Sequence, residues 1–81
     1  MKDYFGYKNK ICVVTGAASG IGKKTAELLI ELDAEVYALD ITKIELEGAK
    51  KFIEVDLSSK ESIDLAMKQL PEHIDSFFGV A

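Results

Sequence analysis

The chain has 81 residues, 48% of them hydrophobic and 30% charged, with a net charge of −4, one cysteine and one histidine. This is the make-up of one small globular domain, and a domain of this size is only marginally stable because it buries only roughly 60 to 65% of its unfolded surface. The acidic balance, with no Lys/Arg cluster, argues against a nucleic acid partner, no apolar run reaches membrane-span length, and Met1-Lys2-Asp3-Tyr4 lacks a signal-peptide layout, so the cytoplasm is the expected compartment.

Residues 1–9 read as an N-terminal extension interrupted by Gly6, and residues 10–81 as the domain. Residues 11–14, Ile-Cys-Val-Val, form an unbroken apolar run, the pattern of a strand buried on both faces of a parallel sheet. Cys12, being single, allows no intramolecular disulfide and no zinc-ligand spacing, and it reads as a small core residue. Thr15-Gly16-Ala17-Ala18-Ser19-Gly20-Ile21-Gly22 follows at once and leads into a helical pattern over 23–32. In such a turn Gly16 supplies a positive φ, Gly20 has no Cβ to obstruct an anion, and Gly22 permits close packing of helix against strand. The first turn of the helix presents unpaired amides at the positive end of the dipole, which suits a pyrophosphate. Ile21, Ala26, Leu28, Leu29 and Leu32 are expected to face the sheet, with Lys23, Lys24, Glu27 and Glu31 in water. Asp33 then falls where a left-handed cap more commonly uses glycine.

A second strand over 35–39 ends in Asp40, about twenty residues beyond the glycines, where a carboxylate can accept hydrogen bonds from a ribose. Residues 41–50 are few for a packed crossover helix. A third strand over 51–57 carries Asp56 and Leu57. Ser58-x-x-Glu61 reads as a capping box opening a helix whose core face is Ile63, Leu65, Ala66, Met67 and Leu70, and which stops at Pro71. His73 is expected in a solvated loop, with no Ser or Cys motif placed to pair with it, before a fourth strand over 74–81. The alternation implies a parallel α/β sheet, and right-handed crossovers place the strands in the spatial order 3-2-1-4 with the helices on opposite faces.

The spacing Gly16-x-x-x-Gly20-x-Gly22, with Thr15 before it and Ile21 inside it, resembles the fingerprint of the short-chain dehydrogenase/reductase family more closely than the Gly-x-Gly-x-x-Gly of other dinucleotide binders. The resemblance runs from about Lys10 to Ala81 and implies the N-terminal part of a Rossmann-type doubly wound α/β domain, truncated after its fourth strand. It implies a dinucleotide with its pyrophosphate on Gly16, Ser19, Gly20, Ile21 and Gly22, its adenosine ribose at Asp40 and Ile41, and its adenine at Asp56 and Leu57. Ala81 falls in the family's segment after the fourth strand, where Gly79 and Val80 replace two asparagines. Asp40 would repel a ribose 2′-phosphate, and Ser19 and Ile41 stand where NADP-preferring relatives usually carry a basic side chain, so NAD is the expected cofactor ahead of NADP. Lys43 reads as a solvated loop lysine. The short second crossover resembles a bacterial branch that acts on hydroxysteroids, although the family builds its substrate pocket mainly from later segments.

The family's chemistry uses a Ser and a Tyr-x-x-x-Lys pair far downstream of the glycines. Tyr4 and Lys8 have that spacing but precede the first strand, so no catalytic or metal-binding residue is assigned. The complete parent is expected to transfer hydride between NAD and an alcohol/carbonyl pair, and the chain alone to be inactive. A noncatalytic nucleotide-binding or interaction fragment is the alternative. A phosphate-loop NTPase is the remote one: five residues separate Gly16 from Gly22 and Lys24 displaces the hydroxyl residue that should follow the first lysine. Self-association is expected through the fourth strand, with Ile74, Phe77, Phe78 and Val80, or through the helices.

Overall fold

The computed structural model describes residues 6–42 and 44–79. The elements are β1 (Ile11–Thr15), α1 (Gly20–Glu31), β2 (Glu35–Asp40), β3 (Lys51–Glu54), α2 (Lys60–Lys68) and β4 (Ser76–Gly79). All strand pairs are parallel and the sheet runs β3-β2-β1-β4, the order that the sequence pattern implies. The central strand explains its own composition, since Cys12, Val13 and Val14 are all fully buried, one neighbour after another pointing to opposite faces.

Those faces hold two cores. Cys12, Val14, Val36 and Ala38 pack with Ala26 and Leu29 of α1, whereas Val13, Leu39, Ile53 and Val55 pack with Ala66 of α2. The helices therefore cover opposite sides of the sheet. α1 meets its face through Gly22, Ala26 and Leu29, a stripe spaced by four and three residues. Ile21 and Leu28, expected on that stripe, are instead 74% and 56% exposed, because one residue off a helical stripe is about 100° around the axis. Leu65 and Met67 of α2 depart from the expected face for the same reason and lie at the surface, while Ile63 and Leu70 pack beside Ala66.

The helix ends are closed by local chemistry. Asp33 adopts φ 64°, its amide donates to Ile30 O at 3.0 Å, and the Ala34 amide donates to Leu29 O at 3.0 Å. This is a Schellman closure with aspartate in the left-handed position, and it brings Ala34 and Leu29 into the same core. At the start of α2 the expected capping box does not form. Ser59 is the N-cap, its Oγ accepting from the Ser62 amide at 3.3 Å, and Ser58 is turned to other partners.

Between β2 and β3 the described residues make no helix. Leu46 instead packs on the α1-side core, and Gly48, at φ 89°, lies so close to Ile30 that a Cβ would meet Cγ2 at 2.7 Å. The described residues ahead of the domain are tied to it: the Tyr7 and Phe78 rings are 6.4 Å apart, and the Asn9 amide donates to Asp33 O at 2.9 Å. At the start of β1, Asp75 Oδ2 accepts from the Ile11 amide at 2.8 Å and Oδ1 lies 2.7 Å from His73 Nε2. His73 is in solvent as expected, with a carboxylate partner. Among the described residues no helix is long and apolar enough to cross a membrane.

Candidate functional site

The glycine turn leaves β1 at Gly16, which takes φ 71°. Its carbonyl then becomes the hub of the turn, accepting from the Ser19 amide at 3.0 Å and from the Ser19 hydroxyl at 2.7 Å. Ser19 is at the same time the N-cap of α1, its Oγ accepting from the Gly22 amide at 3.2 Å. Gly22 lies against this hub: a Cβ there would come within 2.0 Å of Gly16 O and 3.0 Å of Ser19 Oγ. Gly20 is different, because a Cβ on it would meet nothing within 4 Å. Gly22 is thus required by the protein's own packing, whereas nothing in the surrounding fold requires glycine at position 20. The amides of Gly20 and Ile21, in the first helical turn, have no intrahelical acceptor and sit at the positive end of the α1 dipole.

β2 delivers Asp40 beside the same turn. Its Oδ2 accepts from the Ala18 amide at 2.9 Å and its Oδ1 from the Thr42 amide at 3.0 Å, so the carboxylate ties the glycine turn to the end of β2. Backbone continues the tie, with Ala17 N donating to Leu39 O at 3.2 Å and Val55 N to Asp40 O at 2.9 Å. Beyond β3, Asp56 Oδ1 accepts from the Ser58 hydroxyl at 2.6 Å and the Ser58 amide at 2.9 Å. These bonds, the hydroxyl's first, hold the Asp56 carboxyl below the usual carboxylate range. The Asp56 amide in turn donates to Ser62 Oγ of α2 at 2.8 Å, anchoring the loop to the helix.

At the carboxyl ends of β1, β2 and β3 these groups enclose a cleft of about 300 Å³. Thr15, Gly16, Asp40, Asp56 and Ser58 contribute its polar rim, and Leu39, Ile41, Val55 and Leu57 its walls. Ile41 and Leu57 are each 61% exposed, which leaves two apolar side chains available to a flat ring. Five of the sequence-assigned residues, Gly16, Asp40, Ile41, Asp56 and Leu57, line this cleft together. Ser19, Gly20, Ile21 and Gly22 form the adjoining helix start. Ala81, assigned to the same site, lies outside the described residues, as do Val80, Lys43 and Tyr4. Ser58 was assigned by its spacing to the helix cap, and the sign of its other role is its place two residues after an aspartate, where a turn brings its N–H and hydroxyl back to the carboxylate.

A parallel sheet with a glycine turn running into a helix and two carboxylates at its carboxyl edge defines the nucleotide-binding half of a Rossmann-type domain. The phosphate-loop alternative fails here on position: the Thr25 hydroxyl donates back to Ile21 O at 2.9 Å along the helix instead of standing at its first turn. The family profile described as short chain dehydrogenase matches residues 10–79, and the chain belongs to that family. A coniferyl-alcohol dehydrogenase of Pseudomonas sp. strain HR199 is 44% identical over 73 residues, covering 90% of this chain and 28% of the relative. An NAD-dependent glycerol dehydrogenase of Listeria innocua is 38% identical over 73 residues, 82% of this chain and 29% of the relative. Among solved structures, the Pseudomonas aeruginosa RhlG/NADP active-site complex superposes with a TM-score of 0.76 at 26% identity, covering 100% of this chain and 38% of that one. The chain therefore spans less than a third of the length of these curated relatives.

Proposed function

We propose that this chain is the adenosine-binding end of an NAD-dependent short-chain oxidoreductase. The residues fit the group: Gly20 leaves open space over the α1 amides for a pyrophosphate, Asp40 stands at the ribose position, and Ile41, Leu57 and Asp56 frame the place of an adenine. Bound there, the dinucleotide supplies a nicotinamide that accepts or gives a hydride. In the whole protein that hydride would pass to or from an alcohol/carbonyl substrate, a class supported by the alcohols for which the two curated relatives are named; steroid alcohols belong in the substrate panel. Lys8 lies ahead of β1, at the opposite end of the strand from the cleft, Tyr4 lies outside the described residues, and the chain alone is proposed to bind without turnover. The other functional reading, a noncatalytic nucleotide-binding fragment, describes the same site without a catalytic remainder. The cytoplasm is the proposed compartment. β4 is one of the two outer strands of the described sheet and carries Phe77, 58% exposed, so self-pairing through that edge is proposed, to be read by sedimentation.

The observation that carries the NAD reading is the Asp40 carboxylate, fixed by two backbone amides at the cleft rim. A 2′-phosphate brought within about 4 Å of it meets like-charge repulsion of roughly 1 to 4 kcal/mol for each unit charge, depending on local screening. ADP-ribose should accordingly bind the chain at least about tenfold more tightly than its 2′-phosphorylated counterpart. Asp40→Asn keeps the shape and one acceptor and should bring that ratio close to unity in calorimetric titrations. An unchanged ratio removes Asp40 from the ribose site, and no binding of either nucleotide overturns the reading.

A further inference from the structure

Ser58 has no part in the helix beside it. Ser59 caps α2, and Ser62 takes the Asp56 amide, so the start of the helix and its link to β3 are complete without the Ser58 side chain. Ser58 nevertheless spends its hydroxyl and its amide on a single atom, Asp56 Oδ1, and it lines the cleft with Asp56. An ionised carboxylate has about four acceptor positions on its two oxygens. Both Ser58 bonds fall on Oδ1, which fixes the plane of the carboxylate and leaves Oδ2 as the acceptor available to a ligand.

We propose that Ser58 is a positioning residue for purine choice: by holding Asp56 Oδ1 it turns the carboxylate into a rigid acceptor that takes a ring with an exocyclic amino group and refuses one with a carbonyl at that place. The inference rests on the nucleotide reading above and deepens it. Adenine offers an N–H donor to Oδ2, whereas hypoxanthine offers an oxygen, and two acceptors facing each other repel. A carboxylate free to rotate or to take up a proton discriminates less, because the protonated form can donate to the carbonyl. The two donors of Ser58 oppose both escapes, and they also depress the Asp56 pKa.

The test compares ADP-ribose with its hypoxanthine counterpart on the chain by calorimetry, for wild type, Ser58→Ala and Ser58→Thr. The wild-type chain should prefer the adenine compound by about tenfold or more, the factor expected of one charge-assisted hydrogen bond gained in one case and replaced by repulsion in the other. Ser58→Ala removes the shorter hydroxyl bond and keeps the amide's, and should cut that preference to about threefold or less, while Ser58→Thr, which keeps the hydroxyl, should restore it. Carbon-13 titration of the Asp56 carboxyl should move upward in Ser58→Ala and return in Ser58→Thr. A Ser58→Ala chain that weakens for both purines equally, or keeps the full preference, overturns the role of Ser58 while leaving the nucleotide site standing. A wild-type chain that binds neither compound overturns the site and this role together.

Discussion

Replacing Gly22 by Ala probes the turn at its tightest point. The new Cβ would lie 2.0 Å from Gly16 O and 2.6 Å from its carbonyl carbon, where ordinary contact begins near 3.4 Å, so backbone must move by more than 1 Å. Neither side can yield cheaply, since Gly16 O is held by the Ser19 amide and hydroxyl, and Gly22 is the first buried residue of the α1 stripe. Overpacking of this kind costs about 1 to 3 kcal/mol. Displacing Ser19 Oγ, 3.0 Å from the added carbon, weakens the helix cap and adds about 1 kcal/mol. The better helix propensity of Ala returns roughly 0.5 to 1 kcal/mol. The net loss is about 1 to 3.5 kcal/mol, which for a domain of this size lowers the melting temperature by roughly 5 to 25 °C. Thermal melts followed by circular dichroism measure it directly. Gly20→Ala is the matched control: with open space around it, the fold should keep its stability to within about 0.5 kcal/mol while affinity for ADP-ribose falls. A Gly22→Ala chain that melts within about 2 °C of wild type would show that the close approach of α1 to Gly16 is not a constraint.

Asp33→Gly should raise stability by about 0.5 to 1 kcal/mol in urea titrations, because φ 64° costs an aspartate more than a glycine. Ser59→Ala should cost about 1 kcal/mol through the lost N-cap of α2, while Ser58→Ala leaves the urea midpoint nearly unchanged. Asp75 is held below the usual carboxylate range, first by the Ile11 amide and then by His73. A carboxyl lowered on folding contributes stability that is complete above about pH 4 and disappears as pH falls through the depressed value. Urea midpoints at pH 7 and pH 3 should therefore differ more for wild type than for Asp75→Asn, and equal differences would dismiss the Asp75 contact as an acid-sensitive clasp.

The topology was legible because each signal was local and redundant: an apolar strand, a glycine turn and an amphipathic helix occur in immediate succession, and only one handedness of crossover closes them into a sheet. The cleft was legible for a related reason, since in a parallel sheet residues at successive strand ends converge on one edge. Side-chain facing was less so. Ile21 and Leu28 of α1 and Leu65 and Met67 of α2 fit a helical period, but each stands one residue off the face its helix buries, Gly22, Ala26 and Leu29 in α1 and Ala66 in α2. The choice between Ser58 and Ser59 as cap was hidden as well, because adjacent serines differ only in which one the Asp56 carboxylate captures. The bond from Ile11 to Asp75 joins residues 64 apart, and no pattern along the chain carries it.

The deeply placed thiol of Cys12 has a practical consequence. It sits in the middle of the central strand with no exposed surface, and burial together with the nearby Asp75 carboxylate keeps its pKa high. A thiol reagent can reach it only when α1 lifts from this face of the sheet or β1 parts from its neighbours, and then only the small thiolate fraction reacts. The rate at which Cys12 becomes labelled is therefore a native clock for the opening of the core between α1 and the sheet, readable by mass without any introduced probe. Because the same strand carries the glycine turn at its far end, slowing of that clock by ADP-ribose would report how firmly an occupied cleft locks the strand beneath it.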